Sequence, residues 1–162
     1  MKRLIIFSFF SFLIFFTSCS ENNVDMVDRK YKVQYIGSEQ KLIETFKSNK
    51  IDINSTNDYK NINQTYDIYV IDSNLIDFIS KDQVIELLHI NKRVFFINMK
   101  NTSMLMEIFF NSKSFDELKD SKKFMVVRLY FKNDKDLALI SSTYGDGDYK
   151  DIMEFIMKME HE

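Results

Sequence analysis

Tyr66-Asp67-Ile68-Tyr69-Val70-Ile71 and Arg93-Val94-Phe95-Phe96-Ile97 are two nearly continuous runs of β-forming residues. Neither alternates polar with apolar side chains, the pattern of a strand with one wet face. Both suit central strands covered on both sides. Between them, Ser80-Lys81-Asp82-Gln83 has the spacing of a capping box, in which the serine and glutamine side chains satisfy backbone N–H groups at a helix start. Val84, Ile85, Leu87 and Leu88 follow. Strand, helix and strand of this length make a βαβ unit, so the two strands are predicted to lie parallel with a right-handed crossover.

Upstream, Tyr31, Val33 and Tyr35 alternate with Lys30, Lys32 and Gln34. This predicts a strand with one exposed face, Tyr31 and Tyr35 covering one side of a sheet edge. Ser38 is placed to cap a helix carrying Leu42, Ile43 and Phe46 on one stripe. Residues 51–63 are dense in Asn, Asp, Ser and Thr and read as a loop, with a short extended piece at Ile51–Ile53. Downstream, Thr102–Phe110 predicts a helix turning Leu105, Ile108 and Phe109 inward. Ser114 and Glu117 repeat the capping-box spacing. Phe124–Phe131 and Leu137–Ile140 are strand-like, with only Lys132-Asn133-Asp134-Lys135 between them. So short a connection forces an antiparallel hairpin. Asp148 and Asp151 bracket the start of a last helix, with Asp148 as its cap, whose Ile152, Phe155, Ile156 and Met159 recur at helical spacing. The expected fold class is α/β: a three-layer sandwich with a mostly parallel sheet, flavodoxin- or Rossmann-like, ending in an antiparallel hairpin and a helix.

The 162 residues include no proline, 3 glycines and 1 cysteine. Turns must therefore be made by Asn, Asp and Ser, whose side chains bond nearby backbone groups. The formal charge is −2. A mildly acidic chain lacks the basic footprint of a nucleic-acid binder, and none is expected as a partner.

The N-terminus carries an address. Met1-Lys2-Arg3 is followed by an apolar run from Leu4 to Phe16, interrupted only by Ser8 and Ser11, and then by Thr17-Ser18-Cys19. The run is shorter than the ~20 residues a spanning helix needs. It resembles the signal peptide of bacterial lipoproteins, with Phe16-Thr17-Ser18-Cys19 as the processing motif. Phe16 stands where the family prefers leucine. The resemblance implies that residues 1–18 are removed, that Cys19 receives a diacylglyceryl thioether, and that the protein sits lipid-anchored on the extracytoplasmic face of the cell membrane. In a cell with two membranes, Ser20 would direct it to the outer one. Removal of 1–18 takes away Lys2 and Arg3 and no acid, moving the charge from −2 to −4. The mature chain holds no second thiol, so noncovalent packing must suffice. Residues 19–29 read as the lipidated cysteine and a polar tether, and 30–162 as a single α/β domain. About 140 residues are enough to bury a real core.

In open α/β sheets ligands sit beyond the carboxyl ends of the strands. That rule points to Gly37-Ser38, to Asp72-Ser73-Asn74 and to 98–102. An acid at the end of a central strand, Asp72, resembles the phosphoacceptor of response-regulator receiver domains. Receivers hold Mg²⁺ with an acidic pair after their first strand, and Ile36-Gly37-Ser38-Glu39 stands there instead, so phosphotransfer is not expected. Asp72 or Ser73 is expected to cap the following turn. Ser141-Ser142-Thr143-Tyr144-Gly145-Asp146-Gly147-Asp148 resembles a flavin-contacting loop of flavodoxins, with Tyr144 in the stacking position. The resemblance covers only this string, and the phosphate loop it should accompany is absent after the first strand; no cofactor is assigned. Asp146, Asp148 and Asp151 fail the calcium-loop pattern at Lys150. His89 and His161, without a cysteine ligand or an H-E-x-x-H pattern, do not make a zinc site, and no metal is assigned. No G-x-S-x-G elbow or Walker loop occurs, and no catalytic residue is assigned.

The chain thus reads as a non-enzymatic binding or accessory protein, held at the membrane through diacylglyceryl-Cys19 and meeting a protein partner at the cell surface. The alternative is a small-molecule-binding or enzymatic α/β domain using Asp72, Ser73, Thr143, Tyr144 and Asp146. It requires those segments to converge on one concave pocket.

Overall fold

The β-runs of the sequence assemble into one six-stranded sheet. The computed structural model describes residues 31–60, 62–113, 118–133 and 135–159. Cys19, the tether and the Ser114–Glu117 box lie outside the described residues, as does His161. The elements are β1 (Lys32–Ile36), α1 (Gln40–Ser48), β2 (Asp52–Thr56), β3 (Ile68–Asp72), a 3₁₀ helix (Ser73–Phe78), α2 (Lys81–His89), β4 (Arg93–Met99), α3 (Ser103–Phe110), β5 (Lys123–Lys132), β6 (Asp136–Gly145) and α4 (Tyr149–Lys158). The strand order is β2-β1-β3-β4-β5-β6. β2, β1, β3 and β4 run parallel, and β5 and β6 are antiparallel additions after β4. The βαβ unit of β3, α2 and β4 and the terminal hairpin of β5 and β6 stand as the sequence predicts.

Every residue of β3 is buried, as its unbroken apolar run requires. Alternate residues of the inner strands divide between two cores. Val33, Val70 and Phe95 pack with Leu42 and Phe46 of α1 and Ile152 and Ile156 of α4. Tyr69, Ile71 and Phe96 pack with Val84 and Leu87 of α2 and Leu105 of α3. α1 and α4 thus contribute to one core, and α2 and α3 to the other. Each fully buried side chain of this size contributes about 1.5–3 kcal/mol.

Two expectations change here. β1 is not an edge strand with a wet face: Gln34, on its polar side, is only 3% exposed. β2 lengthens the extended piece expected at Ile51–Ile53 into a strand over Asp52–Thr56 and takes the edge position. It pairs in parallel with the outer side of β1 through five residue pairs from Lys32–Asp52 to Ile36–Thr56. The backbone groups of β1 need that partner, and pairing overrides the poor β-propensity of Asp, Asn and Ser. The cap of α1 also moves. Glu39, not Ser38, is the N-cap, its side chain accepting from Lys41 N.

Asparagine does take the turn positions. Asn91, Asn98, Asn111 and Asn133 have positive φ, with Lys50 as a fifth non-glycine residue. Asparagine tolerates this region better than other side chains because its amide bonds locally. At the amino ends of the strands, the Arg93 guanidinium lies 4.3 Å from the centre of the Tyr31 ring. Burial, and then the charge of Arg128, pull its pKa down to about 10, against the attraction of Asp67.

Candidate functional site

A kink in β4 builds the carboxyl-end rim of the sheet. Its pairing with β5 shifts register between Phe96 and Met99. Asn98 sits in that irregularity with φ 59°. An extra residue in a strand re-aims its side chain, and here the Asn98 amide turns to the end of β3. Its Nδ2 donates to Asp72 Oδ2 at 2.8 Å, and the Asn98 backbone carbonyl accepts from Ser73 Oγ at 2.9 Å.

Asp72 is the hub. It is 8% exposed. Its Oδ2 also accepts from the Tyr35 hydroxyl at 3.2 Å, and Oδ1 accepts from Asn74 N at 3.3 Å. Asp72 thus caps the 3₁₀ helix, as the sequence predicts. The Tyr35 hydroxyl in turn accepts from Glu39 N at 3.2 Å. Burial above all holds the Tyr35 hydroxyl far above its ordinary range. The Glu39 N–H opposes this, and the charge of Asp72 adds to it. The Tyr35 ring folds back over Gly37, where an added Cβ would stand 2.5 Å from the ring. Position 37 must be glycine for that closeness.

β4 and β6 both run antiparallel to β5. Their carboxyl ends therefore share a rim with those of β1 and β3, and the 141–148 string lies on the same rim as Asp72. Three strand spacings separate β3 from β6, about 14 Å. An open cleft of about 390 Å³ lies on this rim, lined by Glu39, Asn98, Lys100, Ser121, Lys122, Phe124, Asp146 and Tyr149. Tyr149, at the start of α4, is held above its ordinary pKa by burial first, then by the carboxylates of Glu39 and Asp146, and its hydroxyl bonds Glu39. Lys100 Nζ donates to the carbonyls of Ser121 at 2.8 Å and Lys123 at 2.5 Å, tying the segment after β4 to the start of β5.

Of the residues singled out in the sequence, Asp146 lines the cleft, and Asp72 stands behind Asn98, which lines it. Ser73 bonds the Asn98 carbonyl. Thr143 and Tyr144 do not line it. Residues 141–145 belong to β6 rather than to a loop, and Thr143 pairs with Met125. Tyr144 is half-buried, its ring 6.0 Å from Phe155 of α4. An aromatic residue on a strand gains more by packing under a helix than by standing free for stacking. The turn itself is Asp146-Gly147, with Gly147 at φ 92°. Asp148 holds the cap position of α4 without a side-chain cap. Its Oδ2 instead accepts from Gly145 N at 2.8 Å.

Glu39, Lys122 and Tyr149 carry no motif and are found only by folding, while Lys100 lies in the 98–102 segment to which the strand-end rule points. Asn98 had one signal, its place just past a central strand. Among the described residues, no group of three His, Cys, Asp or Glu side chains is placed to hold a metal ion, and no helix is long and apolar enough to cross a membrane. In comparisons with known proteins, no family model, curated protein or solved structure matches this chain.

Proposed function

We propose that this protein is a lipid-anchored extracytoplasmic α/β domain acting as a binding or accessory protein at the membrane surface. The observation that carries the reading is the run Met1–Cys19, two cations, a short apolar segment and Thr17-Ser18 before the chain's single cysteine. Two acyl chains, at ~0.8 kcal/mol per buried CH₂, anchor a protein stably. The rim supports a scaffold role. Asp72 accepts three hydrogen bonds from its own chain, and Lys100 spends its ammonium on two carbonyls. The test is native mass spectrometry of protein drawn from its own membranes, beside the Cys19→Ser variant. The expected result is a diacylated Cys19 in the membrane fraction and a released Cys19→Ser protein with loss of function. An unmodified Cys19, or a released variant that functions normally, overturns the reading.

At the finer level of fold, we read the molecule as a three-layer sandwich of the flavodoxin-like kind. The strand order β2-β1-β3-β4 follows the opening of that doubly wound order. The antiparallel β5 and β6 depart from it.

The cleft favours a second reading, a small polar ligand held between Asn98, Lys122 and Asp146. A bound mass in the same spectrum, lost in Asn98→Gly, would replace the accessory role with this one.

A further inference from the structure

The two edges of the sheet are built differently. β2 is short, five residues long, and polar, Asp-Ile-Asn-Ser-Thr. Short, polar edges resist pairing with other chains. β6 closes the opposite side with ten residues, Asp136–Gly145. Its register with β5 runs unbroken through ten pairs, so no bulge twists it away. Proline is absent from the chain. Its only charge is Asp136 at one end; Leu137 to Gly145 carries none. Among the described residues, no strand lies beyond it. Leu137, Ala138, Leu139 and Ile140 are all half-buried, so their apolar surface is only partly covered by the two cores. A long, unbulged edge without charge from Leu137 to Gly145 is a template for another strand.

We propose that β6 pairs with β6 of a second copy, antiparallel about a two-fold axis, to make one continuous sheet across a dimer. The charge pattern selects this occupant and direction. A parallel copy would set Asp136 against Asp136, and like charges directly opposite are destabilising. An antiparallel pairing centred on Ile140 sends the two Asp136 residues to opposite ends, each facing Tyr144. It sets Leu137 against Thr143, Leu139 against Ser141, Ala138 against Ser142 and Ile140 against Ile140. Each face of the joint then matches itself, as a two-fold interface requires. An edge without charge over nine residues offers nothing to select a charged foreign strand. The inference stands apart from how the chain is anchored.

The test uses the full chain in detergent, with sedimentation equilibrium as the readout. The wild-type protein is expected at twice the mass of its single chain. Ile140→Lys, which sets two cations opposite each other at a half-exposed position, is expected to sediment as a monomer with an unchanged circular-dichroism spectrum. In a Cys19→Ser background, which removes the only other thiol, Ile140→Cys is expected to oxidise to a disulfide-linked dimer. Ala138→Cys, facing Ser142 rather than itself, is expected to cross-link at least tenfold more slowly. A wild-type monomer overturns the proposal. So does a dimer that persists in folded Ile140→Lys, or one in which Ile140→Cys fails to cross-link faster than Ala138→Cys. The cysteine pair decides the matter on its own if Ile140→Lys does not fold.

Discussion

At Asn98, backbone conformation and side chain contribute separately, and two substitutions divide them. The residue holds φ 59° inside β4 and donates to Asp72 at 2.8 Å. Asn98→Gly keeps the left-handed backbone and loses the amide. A hydrogen bond to a charged group is worth about 1.5–3 kcal/mol, so that loss is expected in chemical denaturation. Asn98→Val loses the amide and also forces a β-branched residue into the left-handed region, at a further cost of about 1–2 kcal/mol. Equal destabilisation by the two would show that the kink carries no conformational cost. Asp72 was legible as a strand-end acid that caps a turn, because a cap depends on neighbours in sequence. Its bonds to Tyr35 and Asn98 were not, because those partners come from other strands.

Among the elements, α2 shows local instructions at their clearest. Asp82 N donates to Ser80 Oγ at 3.2 Å, and Ser80 N donates to Gln83 Oε1 at 3.3 Å. Both partners lie within one turn, so the box could be read directly. A nine-residue helix is marginal alone, and its start matters. Ser80→Ala is expected to cost about 1 kcal/mol in denaturant unfolding. Adding Gln83→Ala should cost less than its single effect, because one box is lost only once. Additive losses would mean that the two bonds act independently. α1 shows the limit of the same reasoning. Ser38 has the better capping side chain, but the bond from Glu39 N to the buried Tyr35 hydroxyl fixes the chain so that Glu39 takes the cap. In β2 the override is larger, since a polar segment becomes a strand because β1 needs a partner.

For the molecule as a whole, the two cores set how stability depends on alkaline pH. Tyr69 and Tyr35 lie in opposite clusters, both fully buried. Burial pushes the Tyr69 hydroxyl up from 10.0 to about 12, against a backbone hydrogen bond from Tyr66; its hydroxyl donates to the Asn63 carbonyl. The Tyr35 hydroxyl is raised further still. An unfolded tyrosine loses its proton near pH 10, while the folded one keeps it. The unfolded state then binds fewer protons, and stability falls with rising pH. These tyrosines therefore contribute fully below pH 10, and their contribution drains away through about pH 12. Thermal melts are expected to show a Tm steady up to pH 10 on this account and falling above it. Tyr69→Phe is expected to shallow that fall. An unchanged slope in Tyr69→Phe would show that Tyr69 does not hold its proton.

By itself, the sequence determined the central βαβ unit, the antiparallel hairpin, the helix faces and the use of asparagine for turns. Periodicity, caps and short connections all act over a few residues, where the chain is its own context. Only the tertiary structure decided that 52–56 is a strand, that β1 lies inside the sheet, that 141–145 belongs to β6, and that Asn98 joins Asp72 to the cleft. Each of these follows from pairing or burial between distant segments. There, the cost of an unpartnered backbone group or an unfilled core outweighs the preference of any single residue.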